Sequence, residues 1–168
     1  MSRDVFLTVM AVLDENAQAL MGKWQKRILS SGLAGTQTMG IPFHITLGSF
    51  PPDAEVELVS RIRAVSMRTS PIPLTFSRLN SFHDRVLFAD PESNEELKRL
   101  HLDFDNNYGN GFPWVPHATL FCGETEEVKK AFEILKSQFQ PFQARITAIE
   151  LGKFFPAKFI SRNDLRKV

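Results

Sequence analysis

The chain opens on an unbroken apolar run, Val5 to Leu13, rich in β-branched residues. Such a run without alternation predicts a central strand covered on both faces. Asp14 follows as a helix N-cap. Ala17, Leu20, Met21, Trp24, Ile28 and Leu29 then recur at helical spacing to about Leu33, and Gly32 and Gly35 stop the helix. Thr36 to Pro42 reads as a loop and Phe43 to Phe50 as a strand. Pro51-Pro52-Asp53 opens a second helix carrying Val56, Val59, Ile62 and Val65, ended by Pro71 and Pro73. Leu74 to Phe82 alternates weakly. With a turn at His83-Asp84 and a returning strand from Arg85 to Ala89, it predicts a hairpin. Asp90-Pro91-Glu92-Ser93 starts a third helix through Leu97, Leu100, His101 and Phe104 to about Tyr108, broken by Gly109, Gly111 and Pro113. A strand from His117 to Cys122, a helix from Thr125 to Phe139, and strands from Gln143 to Phe155 and Lys158 to Ser161 complete the chain.

This order predicts an α+β fold. Around two of the strands it also repeats: a helix and a Gly/Pro-bearing loop lead in, and another helix follows. No linker or low-complexity tract separates the halves. The expectation is a single domain over residues 1–168, made of two intertwined, pseudo-symmetric lobes that share a cleft.

Composition narrows the function classes. The 168 residues are 43% hydrophobic and 23% charged, enough for a real core. Fifteen Phe against one Tyr place most aromatic rings inside. Net charge is +1; residues 1–84 carry 8 Lys+Arg and 7 Asp+Glu, and residues 85–168 carry 12 and 12. Neither half is a basic arm, which argues against gripping a long duplex and leaves a small phosphorylated ligand or an RNA terminus. The single cysteine, Cys122, allows no internal disulfide and suggests the cytoplasm. The run from Val5 to Leu13 is too short to span a bilayer, and no later stretch approaches that length, so no membrane partner is expected. A monomer is the working expectation.

Two short motifs carry the chemistry: His44-Ile45-Thr46-Leu47 and His117-Ala118-Thr119-Leu120. Residues two apart on a strand share a face. Each motif thus presents an imidazole beside a hydroxyl, while Ile45, Leu47, Ala118 and Leu120 anchor the other face. Together they supply what phosphodiester cleavage needs. One His takes a proton from the attacking oxygen and the other gives one to the leaving oxygen. The two Thr hydroxyls donate to the non-bridging oxygens. The sequence does not distinguish acid from base; His44 as acid and His117 as base is the working assignment.

On these motifs, and on the layout from Val86 through Leu97, Leu100 and His101 to Pro116-His117-Ala118-Thr119-Leu120, the chain resembles the two-histidine phosphoesterase superfamily. That family includes the 2′-5′ RNA ligase-like proteins and the 2′,3′-cyclic nucleotide phosphodiesterases. The resemblance covers most of the chain. It implies a bilobal fold with antiparallel sheets lining a central cleft and helices packed outside. It also implies catalysis without a metal or cofactor, His44 and His117 as catalytic residues, and Thr46 and Thr119 as phosphate-binding residues. The activity it implies is hydrolysis of 2′,3′-cyclic phosphates on RNA ends or small nucleotides. Cleavage or ligation of 2′-5′ linkages is the nearest alternative, and a non-catalytic RNA-end or nucleotide-binding protein the alternative from another class.

Other candidates come from residue type and place. Arg78, Lys153 and Lys158 are cations in or beside strands that could neutralise a phosphate. Trp114 and Phe82 are candidates for stacking a base, and Phe112 for rimming the cleft with Trp114; Phe43, Phe121, Phe154 and Phe155 are further aromatics near the motifs. His83 and His101 read as structural or solvated, and Cys122, at odd spacing from His117, as core. No Cys-x-x-Cys, His-Glu-x-x-His or P-loop spacing occurs, so neither a metal site nor nucleoside-triphosphate hydrolysis is expected.

Overall fold

A computed structural model describes residues 5–106 and 113–166. The opening apolar run forms β1, Phe6–Leu13, and is buried along nearly its whole length. It is paired on both edges, and both of its faces are buried, which is why its sequence lacks alternation. Asp14 stands at the N-cap of α1, Glu15–Leu29. The helix ends four residues before Leu33, and Gly32 and Gly35 take positive φ in the turns beyond it. β2, His44–Phe50, carries the first motif. A short 3-10 turn, Pro52–Ala54, leads into α2, Glu55–Arg68.

The hairpin strands are β3, Ile72–Phe82, and β4, Val86–Pro91. His83 and Asp84 both have positive φ, and Arg85 N–H donates to the Phe82 carbonyl at 2.8 Å. These are the marks of a tight primed turn, which suits the right-handed strand twist. β4 reaches further than expected. Asp90 and Pro91 pair with Arg78 and Phe76 of β3 instead of opening a helix. Asn94 is the actual N-cap, accepting from Leu97 N–H at 3.0 Å, and α3 runs only from Glu95 to Leu102. The expected continuation toward Tyr108 does not form: Asp103 and Phe104 close a turn on the Leu100 and His101 carbonyls, Asp105 and Asn106 are irregular, and Tyr108 itself lies outside the described residues.

β5, Ala118–Cys122, carries the second motif. α4, Thr125–Leu135, starts from a capping box between Glu124 and Glu127 and is shorter than its apolar pattern. Phe139, past its end, packs on Trp24 with centroids 5.1 Å apart. β6, Phe142–Phe154, and β7, Lys158–Asp164, close the chain.

All seven strands belong to one antiparallel sheet, in the order β1-β2-β5-β4-β3-β6-β7. β6 also pairs with β1 from Ile146 to Phe154, so the first six strands close into a ring with β7 added outside. The helices cover one face of this ring. Leu7, Val9, Ala11, Ile45, Leu47, Ala118, Ile149 and Leu151 share a core cluster with Met21, Trp24 and Ile28 of α1, Leu58 and Ile62 of α2, Leu97 of α3 and Val128 of α4. Met10, Val12, Phe88 and Ala148, the alternate positions, are buried but stand apart from that cluster. They form the inner face, to which the motif side chains belong.

Candidate active site

The two motif strands are neighbours. β2 and β5 meet at one registered pair, Ile45 opposite Ala118, both fully buried on the helix-covered face. Continuing the antiparallel register one residue each way sets His44 opposite Thr119 and Thr46 opposite His117. Directly opposed residues share a face and lie with Cβ atoms about 4.5–5.5 Å apart. All four motif side chains therefore gather on the inner face, related by a local twofold through the Ile45–Ala118 pair. The two imidazoles occupy its diagonal, about 7–8 Å apart by the same geometry.

Both rings are held alike. His44 Nδ1–H donates to the Pro42 carbonyl at 2.8 Å, and His117 Nδ1–H to the Val115 carbonyl at 2.9 Å. A carbonyl oxygen can only accept, so Nδ1 carries the proton and Nε2 of each neutral ring keeps its lone pair for the site. Burial pushes the pKa of both imidazoles below the usual histidine value, partly opposed by these carbonyl bonds. Charge on His117 lowers His44 further. His44 is the more enclosed of the two rings, so burial disfavours a charge on it more than on His117.

Neighbours fix each half. Phe82 meets the His117 ring edge-on at 4.8 Å, and Phe88 meets it at 5.4 Å while stacking on Phe82 at 4.4 Å. Phe82 thus lies in the site as a wall for the imidazole. Trp114 donates its indole N–H to the Thr46 carbonyl at 2.9 Å. It stacks flat on His101, with centroids 3.9 Å apart, and His101 Nδ1–H donates to the Leu47 carbonyl at 2.8 Å. Leu47 has no partner across β1, so a β-bulge turns that stretch of β2 toward these side chains. Asn106 donates to the Ser49 carbonyl at 2.7 Å. Side chains thus complete the edge of β2 beyond its single pair with β5. Phe112, expected beside Trp114, lies outside the described residues.

The candidate cations scatter. Arg78 shares the inner-face row of Asp90 and is bound to it at 2.9 Å, with an exposed side chain. Lys153 pairs with fully buried Leu7 and so alternates to the helix-covered face, away from the histidines. Lys158 lines a cavity beside Pro42. Pattern reading did not single out Glu150 and Arg162. They follow Thr46 and Met10 in one inner-face row, and Arg162 Nη1 donates to Glu150 Oε2 at 3.0 Å. The available signal was a lone carboxylate in the apolar stretch Ala148-Ile149-Glu150-Leu151. Leu120 is bulged out of register with β4, so both it and Phe121 turn into the core and Cys122 is left half-buried. Burial raises its thiol pKa, keeping it protonated. Among the described residues, no three or more His, Cys, Asp or Glu side chains cluster to hold a metal ion, and no helix is long and apolar enough to cross a membrane.

Residues 13–154 match the family model described as the 2′-5′ RNA ligase superfamily. The chain belongs to this superfamily. Phosphodiesterase-type chemistry is what membership supports in general. A relative from Geobacillus thermodenitrificans (strain NG80-2), provisionally named a phosphoesterase, is 30% identical over 89 residues, covering 48% of this chain and 51% of that protein. The match thus spans about half the length of the relative. Apo LigT of E. coli superposes with a TM-score of 0.66 at 16% identity, covering 99% of this chain and 100% of LigT. TT0787 of Thermus thermophilus gives 0.62 at 16% identity, over 96% and 98% of the two chains. At that identity the likeness shows the fold alone.

Proposed function

We propose that the protein hydrolyses 2′,3′-cyclic phosphates, of RNA ends or small nucleotides, without a metal ion. The observation that carries this reading is the β2–β5 register, which sets each motif histidine against the other motif's threonine on one face, with both Nδ1–H groups committed to carbonyls. Superfamily membership supports it. So do structures of the LigT fold whose contents are 3′-AMP and phosphate, although they concern a distant relative.

The asymmetry in burial and charge favours His44 as base and His117 as acid, the reverse of the sequence-based working assignment. His44 Nε2 takes a proton from water as its oxygen bonds to phosphorus. The P–O3′ bond breaks, and His117 Nε2–H protonates the departing 3′ oxygen. The product keeps its phosphate on the 2′ oxygen. In this scheme the Thr46 and Thr119 hydroxyls, engaged by no other described residue, donate to the non-bridging oxygens.

The test is hydrolysis of 2′,3′-cyclic mononucleotides and cyclic-phosphate-ended RNA with chelator present, alongside a 2′-5′ dinucleotide. Each of His44→Ala and His117→Ala is expected to lower turnover about 10²- to 10⁴-fold. Wild-type inactivity on both cyclic substrates refutes the substrate; full activity in both variants refutes the mechanism.

A further inference from the structure

A cavity of about 220 Å³ borders the candidate site, lined among others by Met10, Met39, Pro42, Glu150, Lys158 and Phe159. Two of these tie it to the first motif. The Pro42 carbonyl holds His44. Met10 pairs with Thr46 on one side and Glu150 on the other. Glu150 therefore lies two strand spacings from Thr46, about 9.6 Å, the scale of one nucleoside. The volume falls below the ~300–1,000 Å³ that drug-sized ligands occupy, so it suits a single ring system.

The lining is unusual in two respects. Its rim is apolar yet open to solvent, Phe159 being 64% and Met39 57% exposed. Its buried part includes a carboxylate, Glu150 at 7% exposure. Burying a charge is costly unless it is paired. Arg162 pairs with Oε2, and no described residue donates to the other oxygen.

We infer that this cavity is a guanine subsite, in which the base joined to the scissile phosphate stacks on Phe159 and donates to Glu150. The inference rests on the phosphodiesterase reading above. The edges of the bases decide which one fits. Guanine sets N1–H beside its 2-amino group, two adjacent donors. Adenine and cytosine set an amino donor beside a ring-nitrogen acceptor, and uracil flanks N3–H with two carbonyls. An ionised carboxylate only accepts. Three of the four bases would therefore oppose a lone pair to it and leave a buried polar group unpaired.

The experiment compares kcat/KM for the 2′,3′-cyclic phosphates of guanosine, adenosine, cytidine and uridine. In parallel, calorimetry compares 2′-GMP with 2′-AMP. The cyclic guanosine substrate is expected to lead by about 10- to 100-fold, the discrimination of one bidentate pair. Glu150→Gln, which offers one donor and one acceptor, should erase that lead. Phe159→Ala, on an exposed side chain that does not threaten folding, should weaken all four substrates by about 10-fold. Equal kcat/KM for all four in the wild type, or a guanine lead that survives Glu150→Gln, overturns the subsite. If no cyclic substrate turns over, the phosphodiesterase reading fails separately. Calorimetry then decides the subsite: tighter 2′-GMP than 2′-AMP binding upholds it, and equal binding overturns it.

Discussion

Replacing Trp114 by Phe removes one hydrogen-bond donor and keeps a ring to stack on His101. The lost bond, 2.9 Å from the indole nitrogen to the Thr46 carbonyl, joins the segment before the second motif to the backbone of the first. One residue on, the Val115 carbonyl orients His117. Trp114 therefore sets the separation of Thr46 and His117, opposed across the β2–β5 register. A neutral hydrogen bond contributes about 0.5–1.5 kcal/mol, and stranding a partly buried carbonyl raises the cost toward about 2. For a chain of this length that corresponds to a melting temperature lower by roughly 1–8 °C. The kinetic effect is expected to be larger, because a displacement of about 1 Å in a positioned group can cost 10²-fold in rate. Steady-state hydrolysis of a 2′,3′-cyclic nucleotide should show kcat reduced about 10- to 100-fold with KM much less affected. A lowered melting temperature with unchanged kcat would show that Trp114 only supports the fold.

Both motif imidazoles have pKa values below the usual 6.5, so the bell-shaped profile of kcat/KM is expected to peak below pH 6.5, and a peak above pH 7 would contradict the two-histidine scheme. The same shifts affect stability: below pH 6.5 the unfolded chain takes up protons that folded His44 refuses, so stability falls as pH drops from 6.5 toward the lowered folded value. Denaturant titrations at pH 7.5 and 5.5 should show that loss, and His44→Gln should lessen it; an identical loss in the variant would assign it elsewhere. A Cβ at Gly48 would sit 2.4 Å from the Phe104 carbonyl and 3.1 Å from the Phe50 ring. Gly48→Ala is therefore expected to cost about 1–3 kcal/mol in thermal or denaturant melts, and a neutral result would mean the segment after α3 yields.

The strands and helices were largely legible because their periods are set by burial on one face or two. Val5 to Leu13 could be read as central because both its faces are buried and both its edges paired. The third helix was misplaced because Asp90 and Pro91 resemble a helix start locally, while the strand pairing of Asp90 with Arg78 and Pro91 with Phe76 is a long-range fact. The i, i+2 spacing in each motif conveyed that a His and a Thr share a face. It could not convey that β2 and β5 are adjacent, since one registered pair between residues 73 apart leaves no local trace. Glu150 and Arg162 lacked a local signal for the same reason: they sit side by side on β6 and β7, but what joins them to the first motif is a row that runs on through β1 and β2, at the other end of the sequence.

The closure of the ring through β1 and β6 bears on how the chain is made. β1 is synthesised well before β6, so its second edge waits for a partner in which Ile146 meets Leu13 and Phe154 meets Phe6. Closing so long a loop adds modest entropy, since each doubling of length costs only about 0.6 kcal/mol, but contacts this distant slow folding. Until β6 arrives, the most apolar strand of the protein presents a row of unpaired amides and carbonyls, a template for another chain. During synthesis at low temperature or high expression, that waiting edge is where aggregation is expected to begin.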